Sequence, residues 1–284
     1  MDKNNSLIFK EYLPNSQRVA GLLDHEVIDF CNNFFQNRFL TNLDSVQKQC
    51  VLKETRATIL KFLSPMIDLT DFRFMYPING ITEGLYSLLV ENQKIKMIEG
   101  DYEWIKLNSK DRVSYHDGDI LYISNPSSID GNFISDGVWE DILSNNNNIA
   151  LDAAYLGSTS IKNIPINDNV KYVYVGLSKM FGLQDLRIGY VFLRKPNIAL
   201  GALLRNNYFN NNSLRLTIEL MEHFPLDFLD KKHREKQTEI CKLNNIEPSD
   251  VVYLATTLDE NYNFYRRGKA NRLCITSHIL NEQH

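Results

Sequence analysis

The sequence predicts an α/β fold in which a mainly parallel sheet lies between helices, followed by a small, shortened α+β terminal lobe. Short segments rich in β-branched and aromatic residues recur between about residues 72 and 193, each bounded by Gly, Asn, Asp or Pro, as strands are. Helix-like segments lie between some of them, and helical spacing of apolar residues dominates before and after this region. Alternation of strand and helix favours a parallel sheet covered on both faces.

The elements follow in chain order. Two amphipathic helices come first, at residues 17–35 and 43–63. The predicted strands of the sheet are residues 72–77, 96–98, 120–124, 149–151, 172–175 and 188–193. The remaining predicted helices are residues 83–90, 137–143, 200–205, 214–221 and 228–241. Strands at residues 251–255 and 273–277 indicate a separate lobe, so we expect a large domain over residues 40–205 and a small domain from residues 1–39 and 206–284.

Composition and charge restrict the function classes. The chain has 284 residues, 43% of them hydrophobic and 23% charged, an ordinary globular composition. Its net charge is −4 and it has no long basic run, so we expect no nucleic-acid partner. No apolar run approaches the roughly 18 residues of a membrane helix, and the start has too short an apolar stretch for a signal peptide. We therefore expect a soluble, cytoplasmic protein with no membrane partner.

Metal chemistry is not expected. The four cysteines form no Cys-x-x-Cys pair, which argues against a zinc knuckle and a disulfide framework alike. The six histidines form no His-Glu-x-x-His pattern. The chemistry is instead indicated by polar residues at strand ends, which is where ligands bind in open α/β sheets.

The most informative segment is residues 175–190, which read VGLSKMFGLQDLRIGY. It resembles the lysine signature of the class I and II aminotransferases, enzymes of fold type I that depend on pyridoxal 5′-phosphate (PLP): Ser-Lys, then Gly-Leu, then Arg-x-Gly. The resemblance implies that Lys179 forms the Schiff base with PLP, while Ser178 and Arg187 hold its phosphate. A lysine at a strand end beside cations loses its charge readily, as imine formation requires. The alternative is a surface turn with an unrelated arginine.

Two upstream segments resemble further elements of the same family. Residues 149–157, IALDAAYLG, resemble its Asp-x-Ala-Tyr element. The resemblance implies that Asp152 pairs with the pyridine nitrogen, which makes the ring an electron sink, and that Tyr155 reaches the ring 3-oxygen. Residues 123–131 resemble its Asn-Pro loop, so Asn125 is expected at the same 3-oxygen and at the substrate. Taken alone, each could be a turn or a packed side chain.

Residues 76–84, YPINGITEG, resemble the family's phosphate loop at the start of a helix. Backbone N–H groups at such a start bind anions, so Gly80, Ile81 and Thr82 are expected to contact the cofactor phosphate. A plain helix cap at Thr82 is compatible with that role. Farther along, Tyr102 matches the aromatic residue that stacks on the pyridine ring; Trp104 is the alternative, and either could be core.

Residues 270–276, ANRLCIT, resemble the late strand whose arginine binds the substrate carboxylate, which implies this role for Arg272. The alternative is a solvated basic stretch, since Arg266, Arg267 and Lys269 lie close by. Two departures from the family stand out. Gly176 replaces a frequent serine, and no residue clearly matches the tyrosine that a neighbouring subunit sends to the phosphate, for which Tyr12 is a guess.

The resemblance implies a PLP-dependent aminotransferase that moves an amino group between an amino acid and a keto acid, with Lys179, Asp152 and Tyr155 as catalytic residues. It also implies a homodimer. The shortened terminal lobe leaves other PLP reactions open, namely decarboxylation, β- or γ-elimination and oxidation. A degenerate member of the family that binds PLP without turnover is the remaining alternative.

Overall fold

The computed structural model of the protein describes residues 20–37 and 43–280. Tyr12, residues 17–19 of the first predicted helix, and the first 19 residues of the predicted small domain lie outside them. Among the described helices, none combines the length and the apolar character needed to cross a membrane.

The described elements alternate much as the sequence predicts. The helices are α1 (His25–Asn37), α2 (Ser45–Leu63), α3 (Ile81–Glu91), α4 (Trp104–Asn108), α5 (Asp136–Asn145), α6 (Leu177–Met180), α7 (Ile198–Arg205), α8 (Asn211–His223), α9 (Phe228–Asn244) and α10 (Thr276–Leu280). The strands are β1 (Phe74–Ile78), β2 (Ile95–Met97), β3 (Val113–Ser114), β4 (Ile120–Ser124), β5 (Ile149–Asp152), β6 (Val170–Gly176), β7 (Gly189–Leu193), β8 (Glu247–Pro248), β9 (Leu254–Thr257), β10 (Arg266–Arg267) and β11 (Ala270–Cys274).

The large sheet has seven strands in the order β1-β7-β6-β5-β4-β2-β3. The strands from β3 through β2, β4 and β5 to β6 pair in parallel, whereas β7 runs antiparallel to both β6 and β1. The predicted α/β fold with a mainly parallel sheet is therefore confirmed. Because of these strand directions, the chain leaves β1, β2, β4, β5 and β6 at the same edge of the sheet, and it enters β7 at that edge.

Helices cover both faces of this sheet, and β6 illustrates why. Its side chains alternate, as those of a strand must: Val173 and Val175 belong to the core beneath α1, α2, α5 and α8, while Tyr172 and Tyr174 belong to the core beneath α3, α4 and α7. Both faces are apolar, so the strand reads as a nearly continuous hydrophobic run, which is typical of a parallel sheet buried on both sides.

The terminal lobe contains a four-stranded antiparallel sheet, β10-β11-β9-β8, packed with α9 and α10. Its predicted strands had the wrong bounds. The N–H groups of Val251 and Val252 donate to Gly131 and Ser158, both at 2.9 Å, so these residues tie the lobe to the large domain instead of extending β9. Residues 276–277 begin α10 and do not prolong β11. The β-branched Ile275 and Thr276 favoured a strand in the sequence, but local helical bonding prevails, as in the Ile279 N–H to Ile275 carbonyl bond of 3.1 Å.

Residues 20–24 are not helical, so the described part of the helix predicted at residues 17–35 begins only at His25. Asp24 accepts a hydrogen bond from the N–H of Glu26 at 2.8 Å and so caps the helix that begins at His25. A side chain at Gly21 would place its Cβ 2.3 Å from the carbonyl oxygen of Ser178, so this segment crosses the lysine turn at backbone contact.

The division into a large domain (40–205) and a small domain (1–39 and 206–284) stays a prediction. Buried residues of α8, such as Leu214 and Leu216, belong to the same core as Ile59 and Leu63 of α2. Residues of α9, β9, β11 and α10 form a second core, together with Leu22 and Tyr155.

Candidate active site

A cavity of about 1120 Å³ opens where the carboxyl edge of the large sheet faces the terminal lobe. It brings together most of the predicted site residues, namely Ile81, Thr82, Tyr102, Asp152, Tyr155, Ser178, Lys179, Arg187 and Arg272. They converge because the turns after β1, β2, β5 and β6 and the turn before β7 all lie at this edge, while β11 supplies Arg272 from the other side. Gly80 and Asn125 do not line the cavity but lie directly behind residues that do.

Lys179 lies in α6, the short helix that directly follows β6. Its carbonyl oxygen accepts hydrogen bonds from the hydroxyls of Ser158 (2.7 Å) and Tyr253 (3.2 Å), which fix the turn. Burial, and to a smaller extent the positive charges of Arg272 and Arg187, lower the pKa of Lys179 to about 8. The fraction of neutral amine near neutral pH is therefore far larger than for an ordinary lysine, as a nucleophilic lysine requires.

Asp152 is the last residue of β5, and 5% of it is exposed. The Tyr122 hydroxyl donates to its Oδ2 at 2.5 Å and the N–H of Ala154 donates to its Oδ1 at 2.9 Å. Burial raises the pKa of Asp152 to about 6, against the lowering effect of the Tyr122 hydrogen bond; the charge of Asp101 raises it further. A carboxylate so placed is suited to bind a protonated ring nitrogen.

Tyr155 and Asn125 lie beside Asp152. Tyr155 is buried, which raises the pKa of its phenol, and it lines the cavity. The backbone N–H of Asn125 donates to the carbonyl of Asp152 at 3.1 Å, and its side-chain Oδ1 accepts from the N–H of Ile134 at 3.2 Å. The side-chain oxygen of Asn125 thus orders the loop after β4, and its predicted contacts with cofactor and substrate stay predictions.

The predicted phosphate site is assembled from two turns. Helix α3 begins at Ile81, with Gly80 as its N-cap residue at φ 79°. A Cβ at Gly80 would lie 2.4 Å from Nη2 of Arg187, so only glycine lets the guanidinium lie over this helix start. Arg187 itself has a left-handed backbone (φ 52°) and donates from Nη1 to the carbonyl of Gln184 at 3.2 Å. The helix start, Thr82, Ser178 and Arg187 together suit a dianion.

Both candidate aromatic residues line the cavity. The Tyr102 hydroxyl lies 3.3 Å from Oγ1 of Thr82, which links it to the phosphate side. Trp104 packs edge-on against Tyr86, with ring centroids 4.8 Å apart. Tyr102 therefore lies with the other predicted cofactor residues, whereas the ring of Trp104 packs against Tyr86.

Arg272 is buried, lines the cavity and donates from Nη1 to the carbonyl of Ser128. The alternative of a wholly solvated basic stretch does not describe this segment. Arg266 and Lys269 are exposed, but Arg267 is only partly exposed and lines the same cavity as Arg272. Burial and the neighbouring charge of Arg272 lower the pKa of Arg267.

Sequence reasoning missed several residues of this site: Asp101, Tyr122, Ser124, Ser128 and Arg267. In the sequence, Tyr122 is one of the aromatic residues of a predicted strand. Its hydrogen bond to Asp152 depends on the pairing of β4 with β5, which the sequence does not indicate. Asp101 stands next to the predicted aromatic residue, and an acid that close to a predicted site is the signal that could have identified it.

The arrangement combines an amine with a lowered pKa, a buried carboxylate and two cationic sites, one at Arg187 and one at Arg272 and Arg267. Such a cavity can bind an elongated ligand with an anionic group near Arg187, a basic ring atom at Asp152 and a carboxylate at Arg272. The amine of Lys179 is available both to attack a carbonyl carbon and to carry a proton.

No known protein-family profile matches the chain. An alignment 143 positions long, which covers 45% of the chain, is 29% identical to histidinol-phosphate aminotransferase 2 of Haemophilus influenzae (strain 86-028NP), of which it covers 39%. The chain thus spans well under half the length of that protein.

Solved structures resemble the chain over nearly its whole length. The histidinol-phosphate aminotransferase of Clostridium acetobutylicum superposes with a TM-score of 0.63 at 16% identity, covering 92% of each chain. The tyrosine aminotransferase of Leishmania infantum gives 0.64 at 13% identity, covering 93% of this chain and 89% of the other. The PLP-bound C–S lyase of Staphylococcus hominis gives 0.65 at 14% identity, covering 94% and 89%. These likenesses establish the fold.

Proposed function

We propose that this chain, which has the fold of the fold type I PLP-dependent aminotransferases, binds PLP and transfers an amino group from an amino acid to a keto acid. One observation carries the proposal: the Lys179 amine, with its lowered pKa, and the buried Asp152 carboxylate lie in one cavity whose two sides are cationic. Each feature alone has structural explanations. Their combination at the carboxyl edge of this sheet suits PLP, which has an aldehyde, a ring nitrogen and a phosphate.

The residues present fit the cofactor. Arg187, Ser178, Thr82 and the start of α3 would hold the phosphate, and the clearance above Gly80 leaves room for the Arg187 guanidinium there. Asp152 would pair with the ring nitrogen, Tyr155 and Asn125 would lie toward the 3-oxygen, and Tyr102 would stack on the ring. Gly176 lines the cavity at the position where many members of the family that the sequence resembles have a serine, so the backbone, Ser178 and Arg187 would hold the phosphate without that hydroxyl.

When bound, PLP supplies an electron sink for the negative charge that develops at the substrate α-carbon. The chain supplies the rest. Arg272, held by the Ser128 carbonyl, orients the substrate carboxylate and thereby the bond that breaks. Lys179, in its neutral form, would accept the proton from the substrate α-carbon and would deliver it to the carbon that had carried the aldehyde. Asp152, ionised above its pKa of about 6, would hold a proton on the ring nitrogen.

Small-molecule amino acids and keto acids are the proposed partners. A homodimer is part of the same proposal, because members of the family that the sequence resembles are typically dimers. Sedimentation of the purified protein with and without PLP tests it: a dimer at micromolar concentration is expected, and a monomer under both conditions would remove this part of the proposal.

The reaction type is tested by a single turnover. The protein is loaded with PLP, freed of excess cofactor and mixed with a panel of L-amino acids while absorbance, keto acid, ammonia and carbon dioxide are followed. Transamination predicts one keto acid and one pyridoxamine phosphate per site, without ammonia or carbon dioxide. Lys179→Ala is the matched control, which should not turn over.

Other products would select the alternatives. Ammonia released with a keto acid would indicate elimination, carbon dioxide would indicate decarboxylation, and oxygen consumption would indicate oxidation. A protein that carries PLP but changes its spectrum with no amine would be a degenerate binder. Absence of PLP binding would overturn the proposed function as a whole.

A further inference from the structure

Asp101 is a buried carboxylate beside the candidate active site, with 2% of it exposed. Its Oδ1 accepts hydrogen bonds from the hydroxyls of Ser124 (2.6 Å) and Ser128 (2.5 Å) and from the N–H of Tyr102 (2.7 Å). Its Oδ2 accepts from the N–H of Ser124 at 3.0 Å. Burying a carboxylate is costly unless hydrogen bonds compensate the loss of water, and both oxygens are engaged in this way.

The donors belong to different walls of one cavity. Tyr102 lies on the loop after β2, Ser124 is the last residue of β4, and Ser128 lies in the loop that follows; all three line the cavity. The N–H of Ser128 also donates to Oγ of Ser124 at 2.7 Å, which closes a ring of bonds around Asp101. The carbonyl of Ser128 accepts the hydrogen bond from Nη1 of Arg272. A continuous chain of contacts therefore runs from Tyr102 through Asp101 and Ser128 to Arg272.

A second contact joins the same loop to the terminal lobe. A Cβ at Gly100 would lie 2.6 Å from the backbone N of Gly268, in the turn between β10 and β11. The loop that carries Asp101 and Tyr102 thus touches the hairpin that carries Arg267 and Arg272. A displacement of Asp101 would therefore shift both Tyr102 and the hairpin that carries Arg272.

We propose that Asp101 is a positioning residue that holds Tyr102, at the proposed cofactor ring, in register with Arg272, at the proposed substrate carboxylate, by way of Ser124 and Ser128. The proposal rests on the proposed function for the roles of Tyr102 and Arg272. The hydrogen-bonded arrangement itself is independent of that function. Asp101 would act only through these residues and would contact no reacting atom.

The charge of Asp101 has a separate effect on the site. Burial is the largest cause of the raised pKa of Asp152, and the charge of Asp101 raises it further, against the lowering effect of the Tyr122 hydrogen bond. Replacing Asp101 by a neutral residue should therefore lower the pKa of Asp152 and move the acid limb of the activity profile to lower pH. Loosening of a loop would not produce a shift in that direction.

The test uses Asp101→Asn, because asparagine has nearly the same shape as aspartate. If its side-chain oxygen accepts from the hydroxyls of Ser124 and Ser128, its NH2 group faces the N–H of Ser124, so that two donors meet and one hydrogen bond is lost. The milder variant Ser128→Ala removes one donor and keeps the backbone, in case Asp101→Asn does not fold. Asp230→Asn is the matched control: it also removes a largely buried carboxylate, one paired with Arg234 in α9, away from the cavity.

Two readouts are taken on each protein. Hydrogen exchange of the cofactor-free protein should rise about tenfold for Asp101→Asn in the segments 99–104 and 122–130, and should be unchanged in 228–244. In the PLP-loaded enzyme, the KM for the amino acid should rise about tenfold while kcat changes less than about threefold. Ser128→Ala should show the same pattern at about threefold in KM.

The proposal is overturned if exchange in the two loop segments and KM are unchanged in Asp101→Asn, or if both rise equally in the control Asp230→Asn. It is also overturned if the acid limb stays where it is in the wild type. If the wild type fails to bind PLP, the proposed function fails, and the exchange data still decide whether Asp101 orders the walls of the cavity.

Discussion

Two buried aspartates of this chain, Asp24 and Asp152, have the same chemistry and opposite surroundings. Asp24, 1% exposed, lies 2.7 Å from Nζ of Lys232 and 2.7 Å from Nε2 of His233 on α9. Burial alone would raise the pKa of Asp24, but the hydrogen bonds from His233 and Lys232 lower it to about 2. Asp152 is bonded by a phenol and an amide, and its pKa is raised to about 6.

The difference separates structure from function. At Asp24 the folded chain itself supplies the positive charge of Lys232 and a hydrogen bond from His233, so ionisation stabilises the fold. At Asp152 the folded chain leaves the charge under-compensated, so ionisation costs stability, and a ligand with a positive atom would recover it. Active sites hold such poised groups, whereas structural ion pairs are satisfied within the protein.

The largest expected effect comes from Asp152→Asn, which should act on activity and stability in opposite directions. A folded-state pKa above the ordinary 3.8 means that the associated stability is complete below 3.8 and is lost as pH rises through about 6. Removing the charge should therefore stabilise the cofactor-free protein at about pH 8 by up to about 3 kcal/mol, while activity falls by about a thousandfold.

Urea unfolding of the cofactor-free protein over a range of pH measures this stability, and the two proteins should converge below about pH 4. A variant that is less stable than the wild type at alkaline pH would contradict the comparison, because Asp152 would then be a satisfied structural acid like Asp24.

Asp24→Asn should have the opposite consequence. Lys232 and His233 lose their anionic partner, so the free energy of unfolding should fall by about 2 to 3 kcal/mol near neutral pH. Because the pKa of Asp24 is lowered, this contribution is present above the ordinary value of 3.8 and is lost as pH falls toward about 2. Activity per folded molecule should change less than about threefold.

Tyr122→Phe tests how Asp152 is held. The Tyr122 hydroxyl lowers the pKa of Asp152, so its loss should raise that pKa and move the acid limb of the activity profile to higher pH, with activity about tenfold lower near neutrality. The matched control is Tyr190→Phe, which removes a buried hydroxyl bonded to Thr217 at 2.6 Å. Equal shifts of the acid limb in both variants would show that Tyr122 has no specific effect on Asp152.

The smallest effect is expected for Ser178→Ala. The loss of one hydroxyl at the proposed phosphate site should raise the dissociation constant of PLP about fivefold and leave kcat nearly unchanged, because Arg187 and the start of α3 remain. Titration of the apo-protein with PLP, followed by absorbance, measures this. Ser144→Ala, on the exposed face of α5, is the control and should bind PLP like the wild type.

The sequence was sufficient for the sheet and for most of the candidate cavity, for identifiable reasons. The strand at residues 120–124 was predicted with its observed bounds, because an apolar β-rich run between Asp119 and Asn125 leaves little freedom. Strand ends of a parallel sheet meet at one edge, so residues after separate strands were expected together, and Asp152 and Lys179 are.

What the sequence could not provide depends on contacts between distant segments. Tyr122 and Asp152 meet because β4 pairs with β5 in a particular register, and Asp101 meets Ser124 and Ser128 because a loop folds under them. The start of α10 was missed because Thr276 is a residue typical of strands. In the structure its hydroxyl donates to the carbonyl of Ala20, which is distant in the sequence, and this contact accompanies the local helical bond from Ile279 to Ile275.

The most direct test of the proposed Schiff base is to trap it covalently and to identify the modified lysine. The purified protein is incubated with PLP, reduced with borohydride and digested, and the modified peptide is identified by mass spectrometry. We expect a single pyridoxyl group on Lys179, with loss of the visible absorbance on reduction. A protein that takes up no PLP, or that is modified only at other lysines, would contradict it.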